Sequence, residues 1–422
     1  MDQLLLNNAR VVLEDGIQHG SVLVRDGRIA RVFARHETPA GISSRDSIDL
    51  REAYLAPGLI DIHIHGSAGI DVQNTDADGL LKLSEFLLNV GVTGYFATFV
   101  PTDERTYGEA IAIVESSAAA QQQSTRGARI LGIHFEGPFV SHNKCGALEP
   151  EHFRAYDGDP RSIELFTSQT SGERRPRLMT LAPEVGGGIE LTRELSRRAF
   201  RVFLGHTQAD PATLDLAFEA GARHITHFPN ALDPLHHRKP GAVAWGLLRA
   251  DVTMDCIADF HHVDPLMLRL IHQSKTANRM ALISDAIQPA GLGDGEFTVW
   301  NTKIVVRGGI TALVEGALVE GSLAEGSLVE GSLAEGSLVE GRVAGALAGS
   351  VITLREALKN IVSLGVPLHE AIKMASLTPA RAAGVDHELG SLEEGKRADI
   401  VSFDEQLDVG LAIISGEVAI RA

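Results

Sequence analysis

The chain has 422 residues, 44% of them hydrophobic, which suffices for one large domain with a sizeable core and a smaller accessory domain. Its formal net charge of −17 argues against a general binder of nucleic-acid backbones, because such proteins need a basic face. Cys145 and Cys256 are the only cysteines, so the sequence excludes a disulfide framework. With no signal-like start and no apolar run long enough for a bilayer, we expect a cytoplasmic protein without membrane partners.

Both ends of the chain are predicted to form β-strands. Residues 1–55 contain apolar runs separated by Asp-Gly pairs at 15–16 and 26–27, which are typical of hairpins. Residues 390–422 contain similar runs, RADIVSFDEQ and LAIISGEVAIRA. We therefore predict that the two ends pair into one small β-sandwich domain, separate from a domain formed by residues 56–389.

Between these ends, short apolar runs alternate with helix-like segments such as ADGLLKLSEFLLNVG and DPATLDLAFEAGA. The eight runs are GLIDIHIHG, TGYFATFV, RILGIHFEG, RLMTLAPE, RVFLGHT, HITHFPN, VTMDCIAD and MALISDA. Strand–helix alternation implies parallel strands with right-handed crossovers, and eight such strands close a TIM (β/α)8 barrel. The predicted fold class is thus α/β with a TIM barrel, and a doubly wound open sheet is the competing architecture.

Residues 312–341 differ from the rest of the chain, because they contain six copies of a five-residue repeat of the type ALVEG or SLAEG. A period of five matches neither the strand period of about 2 nor the helix period of about 3.6. We therefore predict a flexible or irregular surface insertion that lengthens the flap beginning with GEFTVWNTKIVVRGG. A β-solenoid coil is the alternative, and we assign the repeat no chemistry.

Potential metal ligands stand at the ends of five of the eight apolar runs. His63 and His65 are two residues apart, so a strand would direct both imidazoles to one face. Taken singly, such residues are more often structural: Glu136 could cap a helix and Asp285 could be an N-cap. In a TIM barrel, however, the C-terminal ends of the strands surround one mouth, and the whole set would meet there. The six residues are His63, His65, Glu136, His206, His227 and Asp285.

Imidazole and carboxylate ligands suit zinc or iron, and manganese less well. A metal with an open coordination position can lower the pKa of a bound water to roughly 7. A neighbouring carboxylate can then take the proton of that water and pass it to a leaving group. Asp285, on the last strand, is the candidate for this role, so we predict a hydrolase that uses one or two divalent ions.

An ordered set of motifs resembles the N-acetylglucosamine-6-phosphate deacetylases of the amidohydrolase superfamily. The motifs are PGLIDIHIHG, HFEGPF, GHT, THFPNAL, RKPG, IADFHHV, SDAIQPAGLGDG and LAGS, and they extend over nearly the whole chain apart from the repeat. The resemblance implies removal of the acetyl group from N-acetylglucosamine 6-phosphate, with Asp285 as catalytic acid and base. It also implies that Glu136, His206 and His227 bind the main ion, and that His63 and His65 can hold a second ion with Glu136 as the bridge.

The resemblance further implies a substrate site for a phosphorylated amino sugar. Arg238 of RKPG matches a residue that contacts phosphate, and His262 of ADFHHV matches a residue that contacts substrate. The neighbouring His261 is an alternative to His262, and without the resemblance Arg238 would be interpreted as an ordinary surface residue. In the family this arginine reaches in from the neighbouring subunit, so a homodimer is implied. The other implied substrate-binding residues are Ala147, Leu148, Asn230, Ala231, Leu347, Ala348 and Gly349.

Two departures from the family pattern leave the substrate open. Leu148 stands where the family usually has a histidine, and Phe260 replaces a glycine. Both lie near the expected sugar site, so N-acetylgalactosamine 6-phosphate is an alternative substrate. The sequence is also compatible with an amidohydrolase that acts on a cyclic amide or another N-acyl compound, and with a non-enzymatic protein that binds metal or sugar phosphate.

Overall fold

The computed structural model describes residues 3–35, 37, 46–124, 126–168, 175–300, 302–313, 338–339, 342–343 and 347–421. The strands are β1 (Gln3–Leu13), β2 (Gly16–Arg25), β3 (Arg28–Ala34), β4 (Ser47–Asp49), β5 (Tyr54–Pro57), β6 (Leu59–Ile64), β7 (Gly66–Ser67), β8 (Ile70–Asp71), β9 (Val92–Phe99), β10 (Arg129–Glu136), β11 (Arg177–Leu181), β12 (Arg201–Leu204), β13 (His224–Ile225), β14 (Thr253–Ile257), β15 (Met280–Ile283), β16 (Gly295–Val299), β17 (Thr302–Arg307), β18 (Ile310–Leu313), β19 (Leu338–Val339), β20 (Arg342–Val343), β21 (Ile400–Phe403), β22 (Val409–Ile414) and β23 (Glu417–Arg421). The α-helices are α1 (Ala77–Asn89), α2 (Glu104–Ala120), α3 (Glu164–Thr167), α4 (Gly188–Arg197), α5 (Pro211–Ala220), α6 (Gly241–Leu248), α7 (Pro265–Lys275), α8 (Leu354–Ser363), α9 (Leu368–Ala375) and α10 (Leu377–Ala383).

The eight apolar runs form a barrel of parallel strands in the order β6, β9, β10, β11, β12, β13, β14, β15. The last strand returns to the first, and the backbone N–H of Asp285 donates to the carbonyl of His63 at 2.9 Å. Every residue of β6, β9 and β14 is buried, as expected for parallel strands covered by helices. The TIM barrel is therefore confirmed. A doubly wound sheet would reverse its strand order part-way, and this sheet follows the chain order throughout.

The two ends of the chain pair, as the sequence predicts. Strands β1 to β5 and β21 to β23 form one eight-stranded sheet, in which β5 joins β21 antiparallel with Pro57 opposite Ile400. Leu6 and Val11 from the first strand and Ile413 from β22 share an apolar cluster distinct from the barrel core. The domain boundaries at residues 55 and 390 stay a prediction.

Side-chain caps define where several barrel helices begin. The carboxylate of Asp76 accepts the N–H of Gly79 at the start of α1, and Asp210 caps α5 directly before a proline. Asp264 caps α7, which follows the His262 segment. These caps accept N–H groups that have no partner within the first turn of a helix. Each helix therefore begins at a fixed residue, and this fixes the length of the loop that precedes it.

A small antiparallel sheet of β16, β17 and β18 follows the last barrel strand, and we call it the flap. The pentapeptide repeat begins within β18. Strand β19 lies in its last copy and pairs with β20, which comes directly after the repeat. Residues 314–337 and 340–341 of the repeat lie outside the described residues, so the expected surface insertion stays a prediction. Among the described residues, we find no helix long and apolar enough to cross a membrane.

Candidate metal centre and active site

The structure brings the six potential ligands together at the C-terminal ends of the barrel strands. None of the six is more than 7% exposed, so all lie in a buried pocket. Their ligand atoms form two groups, each within 4.8 Å: His63, His65 and Asp285 in one, and Glu136, His206 and His227 in the other. The six residues lie together because the C-terminal ends of all strands in a parallel barrel surround one mouth.

Glu136 lies between the two groups. Its Oε1 is 3.0 Å from Nε2 of His206 and 2.9 Å from Nε2 of His227. Its Oε2 is 3.3 Å from Nε2 of His65. A carboxylate placed in this way can give one oxygen to each of two neighbouring ions.

The second group is equally tight. Nε2 of His63 and Nε2 of His65 lie 3.1 Å apart, and each is 3.3 Å from Oδ1 of Asp285. Nδ1 of His65 faces the carbonyl of Thr98 at 3.2 Å, and Nδ1 of His206 in the other group faces the carbonyl of Lys144 at 2.7 Å. Both imidazoles therefore donate from Nδ1, so Nε2, which faces the carboxylates of the pocket, is the nitrogen that would bind an ion.

The electrostatics of the pocket favour positive charge. Burial would raise the pKa of Glu136, but the charge of His63 and hydrogen bonds from His206 and His227 hold it well below its usual range. Burial alone would lower the pKa of His65, yet hydrogen bonds to Asp285 and Glu136 raise it to about 10. The donor set and its preference for positive charge therefore fit a divalent cation bound by nitrogen and oxygen atoms.

Three of the six residues adopt a backbone conformation that is rare outside glycine. The φ angles are +48° for His206, +33° for His227 and +49° for Asp285. Such conformations cost about 1–3 kcal/mol each and persist only where the surroundings hold them. The strand-end turns therefore aim these side chains into the pocket at the expense of local strain.

Comparison with known proteins places this chain in a family. A family model described as the amidohydrolase family matches residues 324–419. The N-acetylgalactosamine-6-phosphate deacetylase of Escherichia coli O157:H7 is 33% identical over 417 residues, which cover 98% of this chain and 99% of that protein. The N-acetylglucosamine-6-phosphate deacetylase of Vibrio furnissii is 33% identical over 387 residues, covering 92% of this chain and 88% of the relative. The chain belongs to the N-acetylglucosamine-6-phosphate deacetylase family of the amidohydrolase superfamily.

Solved structures of this deacetylase family have the same fold. The N-acetylglucosamine-6-phosphate deacetylase from Thermotoga maritima is 30% identical, with a TM-score of 0.81 and coverage of 99% of this chain and 100% of that one. The enzyme from Pasteurella multocida is 26% identical, with a TM-score of 0.82 and coverage of 99% of both chains.

The deacetylase motif LAGS lies directly beside Asp285. The N–H of Ser350 donates to the carbonyl of Asp285 at 2.8 Å. Gly349 has a φ of +64°, and a Cβ there would lie 2.7 Å from Ile287, so only glycine fits this close approach. Ala348 and half-buried Ala147 join the apolar cluster around Ile287. Leu347 precedes this cluster and is half-buried.

The other predicted substrate residues occupy different surroundings. Asn230 donates from its backbone N–H and its Nδ2 to the carbonyl of His227, at 2.7 and 3.1 Å, so it fixes the turn that carries this ligand. Ala231 follows with a φ of +53°. Leu148 is buried against Val100 and neighbouring apolar residues.

His262 and Arg238 differ in exposure. The His262 side chain is 7% exposed, and its Nδ1 lies 2.7 Å from Oδ2 of Asp259, whereas His261 is exposed. Burial would raise the pKa of Asp259, but the hydrogen bond from His262 lowers it. Arg238 lies in an exposed loop, and among the described contacts only its backbone N–H has a partner, Nδ1 of His236 at 3.2 Å. Among the described contacts, the guanidinium of Arg238 touches none of the six potential ligands.

Sequence reasoning missed residues that support the ligands from distant parts of the chain. Trp300 in the flap places its ring 5.1 Å from that of His65. Asp255 in β14 accepts the backbone N–H of His227 and the Nε2–H of His224. The sequence feature that could have indicated Asp255 is an aspartate inside the buried run VTMDCIAD, because a buried carboxylate needs hydrogen-bond partners. The half-buried Phe260, at the family's glycine position, has a φ of +68°, a conformation that suits glycine.

Proposed function

We propose that this protein is a metal-dependent hydrolase that converts N-acetylglucosamine 6-phosphate into glucosamine 6-phosphate and acetate. The observation that carries the proposal is the convergence of six buried potential metal ligands, Asp285 among them, at the barrel mouth of a chain that matches such deacetylases over nearly its full length.

Glu136, His206 and His227 would hold the main ion, and His63 and His65 a second ion with Glu136 as the bridge. Zinc or iron suits these ligands. When bound, a divalent ion lowers the pKa of a water and polarises the amide carbonyl.

Asp285 would carry the proton in this reaction. Burial would raise its pKa, but the charge of His63 and the hydrogen bond from His65 lower it, so the carboxylate is ionised at neutral pH. It can therefore accept a proton from the attacking water at Oδ1 and deliver it to the nitrogen of the leaving amine.

Arg238 and His262 would bind the phosphate. A guanidinium offers a planar fork that suits phosphate oxygens, and His262 keeps Nε2 available because Asp259 engages its Nδ1. Since Arg238 lies in an exposed loop, it would act on the site of a second subunit in a homodimer. Asn230, Ala231, Ala147, Leu148 and the segment Leu347–Gly349 would contact the sugar. The two cysteines, both buried thiols, are consistent with the cytoplasmic location that we propose.

The test of the activity is acetate release from N-acetylated hexosamines, with and without a 6-phosphate, together with metal analysis of the same sample. We expect N-acetylglucosamine 6-phosphate to have the highest kcat/KM and the unphosphorylated sugar a much lower one. Absence of acetate release from every phosphorylated sugar in a metal-loaded sample would refute the proposal.

Mixed dimers test the role of Arg238 in the partner site. Asp285→Asn and Arg238→Gln chains should each be nearly inactive alone. If the partner's Arg238 completes each site, a mixed dimer contains one intact site, and random mixing should restore about a quarter of the wild-type activity. Arg269→Gln, which alters an exposed arginine of α7, is the control and should keep normal activity. No recovery on mixing would place Arg238 outside the partner's site.

A second candidate function is deacetylation of N-acetylgalactosamine 6-phosphate. It is supported by the identity of 33% to the Escherichia coli O157:H7 deacetylase of that sugar and by the replacement of a family histidine by Leu148. The ratio of kcat/KM for the two C4 epimers decides between the candidates.

A further inference from the structure

Trp300 connects the flap to the metal centre. It lies in the turn between β16 and β17 with a φ of +48°. Its ring stands edge-on to His65, with ring centroids 5.1 Å apart and planes at 81°. Its indole Nε1–H donates to Oδ2 of Asp71 at 2.9 Å. A flap residue therefore contacts a potential metal ligand directly.

Asp71 holds the indole firmly in place. It is 9% exposed, and its Oδ1 accepts the backbone N–H groups of Gln73 and Asn74 at 2.9 Å each. These bonds fix the carboxylate, so its other oxygen presents a defined acceptor to the indole of Trp300. The orientation of the ring is thus set by the first barrel loop as well as by the flap.

The same ring packs against the substrate residues that the family resemblance implies. Trp300 contacts the apolar cluster that contains Leu148 and the cluster that contains Ala147 and Ala348. It is only half-buried, so part of the ring stays open. Leu148 is buried beneath this side of the site, in the cluster on which Trp300 packs, where the family pattern has a polar histidine.

We propose that Trp300 is a specificity-determining residue whose open ring face, supported by the apolar cluster that contains Leu148, forms an apolar wall for the sugar ring. In the galacto epimer the 4-hydroxyl is axial, so the C–H groups at C3, C4 and C5 lie on one continuous face of the sugar ring. In the gluco epimer the 4-hydroxyl is equatorial, and these three C–H groups do not share a face. An aromatic wall gains contact with that apolar face. Trp300 therefore raises the relative kcat/KM for the galacto epimer, whichever epimer the enzyme prefers overall. This inference rests on the proposed function.

The first test measures kcat/KM for N-acetylglucosamine 6-phosphate and N-acetylgalactosamine 6-phosphate in Trp300→Ala and Trp300→Phe. We expect Trp300→Ala to shift the ratio toward the gluco epimer by roughly threefold to tenfold, the range of one aromatic contact. Trp300→Phe keeps an aromatic ring and should retain most of the wild-type ratio. Leu148→His should shift the ratio in the same direction as Trp300→Ala.

Metal content separates this role from simple support of His65. If Trp300→Ala loses metal and both epimers lose kcat/KM equally, the residue is structural and the inference is wrong. If wild-type protein hydrolyses neither epimer, the proposed function fails first.

Fluorescence provides a readout that does not depend on turnover. The chain has two tryptophans, and the other, Trp245, is buried in α6 and donates to Asp215. In Trp245→Phe, emission comes from Trp300 alone, and saturating glucosamine 6-phosphate should change it. Trp300→Phe, which retains Trp245, should show no change. Unchanged emission of Trp245→Phe while glucosamine 6-phosphate inhibits the enzyme would overturn the inference.

Discussion

Replacing Asp255 with alanine should weaken metal binding, although Asp255 is not one of the expected ligands. The residue is fully buried in β14, and its carboxylate accepts the backbone N–H of His227 and, at 2.8 Å, the Nε2–H of His224. His227 has a φ of +33°. Unlike His65 and His206, its Nδ1 has no hydrogen-bond partner among the described residues. The orientation of His227 therefore depends on its backbone, which Asp255 holds.

The size of the effect follows from these two hydrogen bonds. A hydrogen bond to a charged group contributes about 1.5–3 kcal/mol, so the loss of both should lower the free energy of unfolding by roughly 3–6 kcal/mol. Only the bond to His227 acts on a ligand. Loss of a group that orients a ligand typically costs about 10- to 100-fold in metal affinity, or about 1.4–2.7 kcal/mol. Metal affinity should therefore fall less than overall stability.

The assay is competition for zinc between the protein and a chromogenic chelator, with urea unfolding measured on the same samples. Asp255→Asn keeps an oxygen that can accept the N–H of His227, so its affinity should lie between those of wild type and Asp255→Ala. Asp399→Ala is the matched control, because Asp399 is 6% exposed and accepts the N–H of Ser415 at 2.7 Å in the terminal sheet. The control should lose stability without losing metal affinity. Wild-type metal affinity in Asp255→Ala would refute the reasoning.

Three further predictions concern the proton carrier, the sheet–barrel contact and the ion. Asp285→Asn should lower kcat by about 10²- to 10⁴-fold while metal analysis shows the ion retained, and near-normal turnover would contradict its role. Glu14 pairs with Lys373 of α9 at 2.9 Å; burial would raise the pKa of Glu14, but Lys373 and Arg381 lower it below 4.5. Glu14→Gln should therefore reduce the free energy of unfolding by about 1 kcal/mol or less at neutral pH. The difference between the variant and wild type should disappear as the pH falls through the lowered pKa of Glu14. Urea unfolding that shows a constant difference down to pH 3 would contradict this prediction. Removal of metal by chelation and dialysis should abolish activity and lower the Tm, because an ion at about 100 times its Kd stabilises the folded state by roughly 2.7 kcal/mol. Full activity after metal removal would disprove metal dependence.

The positions of the potential metal ligands could be predicted because they depend on local patterns combined with one topological rule. Eight apolar runs with helices between them specify a closed parallel barrel, and a polar residue at the end of a run then lies at the mouth. The strand period of two places His63 and His65 on the same face, and the structure has their Nε2 atoms 3.1 Å apart. No long-range information beyond the barrel itself is needed.

The same local pattern cannot distinguish a ligand from a structural histidine. His134 stands two residues before Glu136, just as His63 stands two residues before His65. Yet Nδ1 of His134 lies 3.0 Å from the carbonyl of Ile62, and its Nε2 lies 2.8 Å from Oγ1 of Thr180. With both nitrogens engaged, His134 has no lone pair for an ion. That difference depends on a backbone carbonyl of β6 and a side-chain hydroxyl of β11, which periodicity does not report.

The supporting residues were unpredictable for a related reason: they act across large separations in sequence. Trp300 reaches His65 from the flap, and Asp255 of β14 accepts the backbone N–H of His227, which lies just beyond β13 with a positive φ. Sequence patterns indicate which atoms can bind a metal, whereas these contacts decide how rigidly the atoms are held. The identity of the potential ligands and their positioning are therefore separable properties of this site. A chain that kept these six residues but lost Asp255 or Trp300 would retain the motifs of the family, and we expect it to differ in metal affinity or substrate choice.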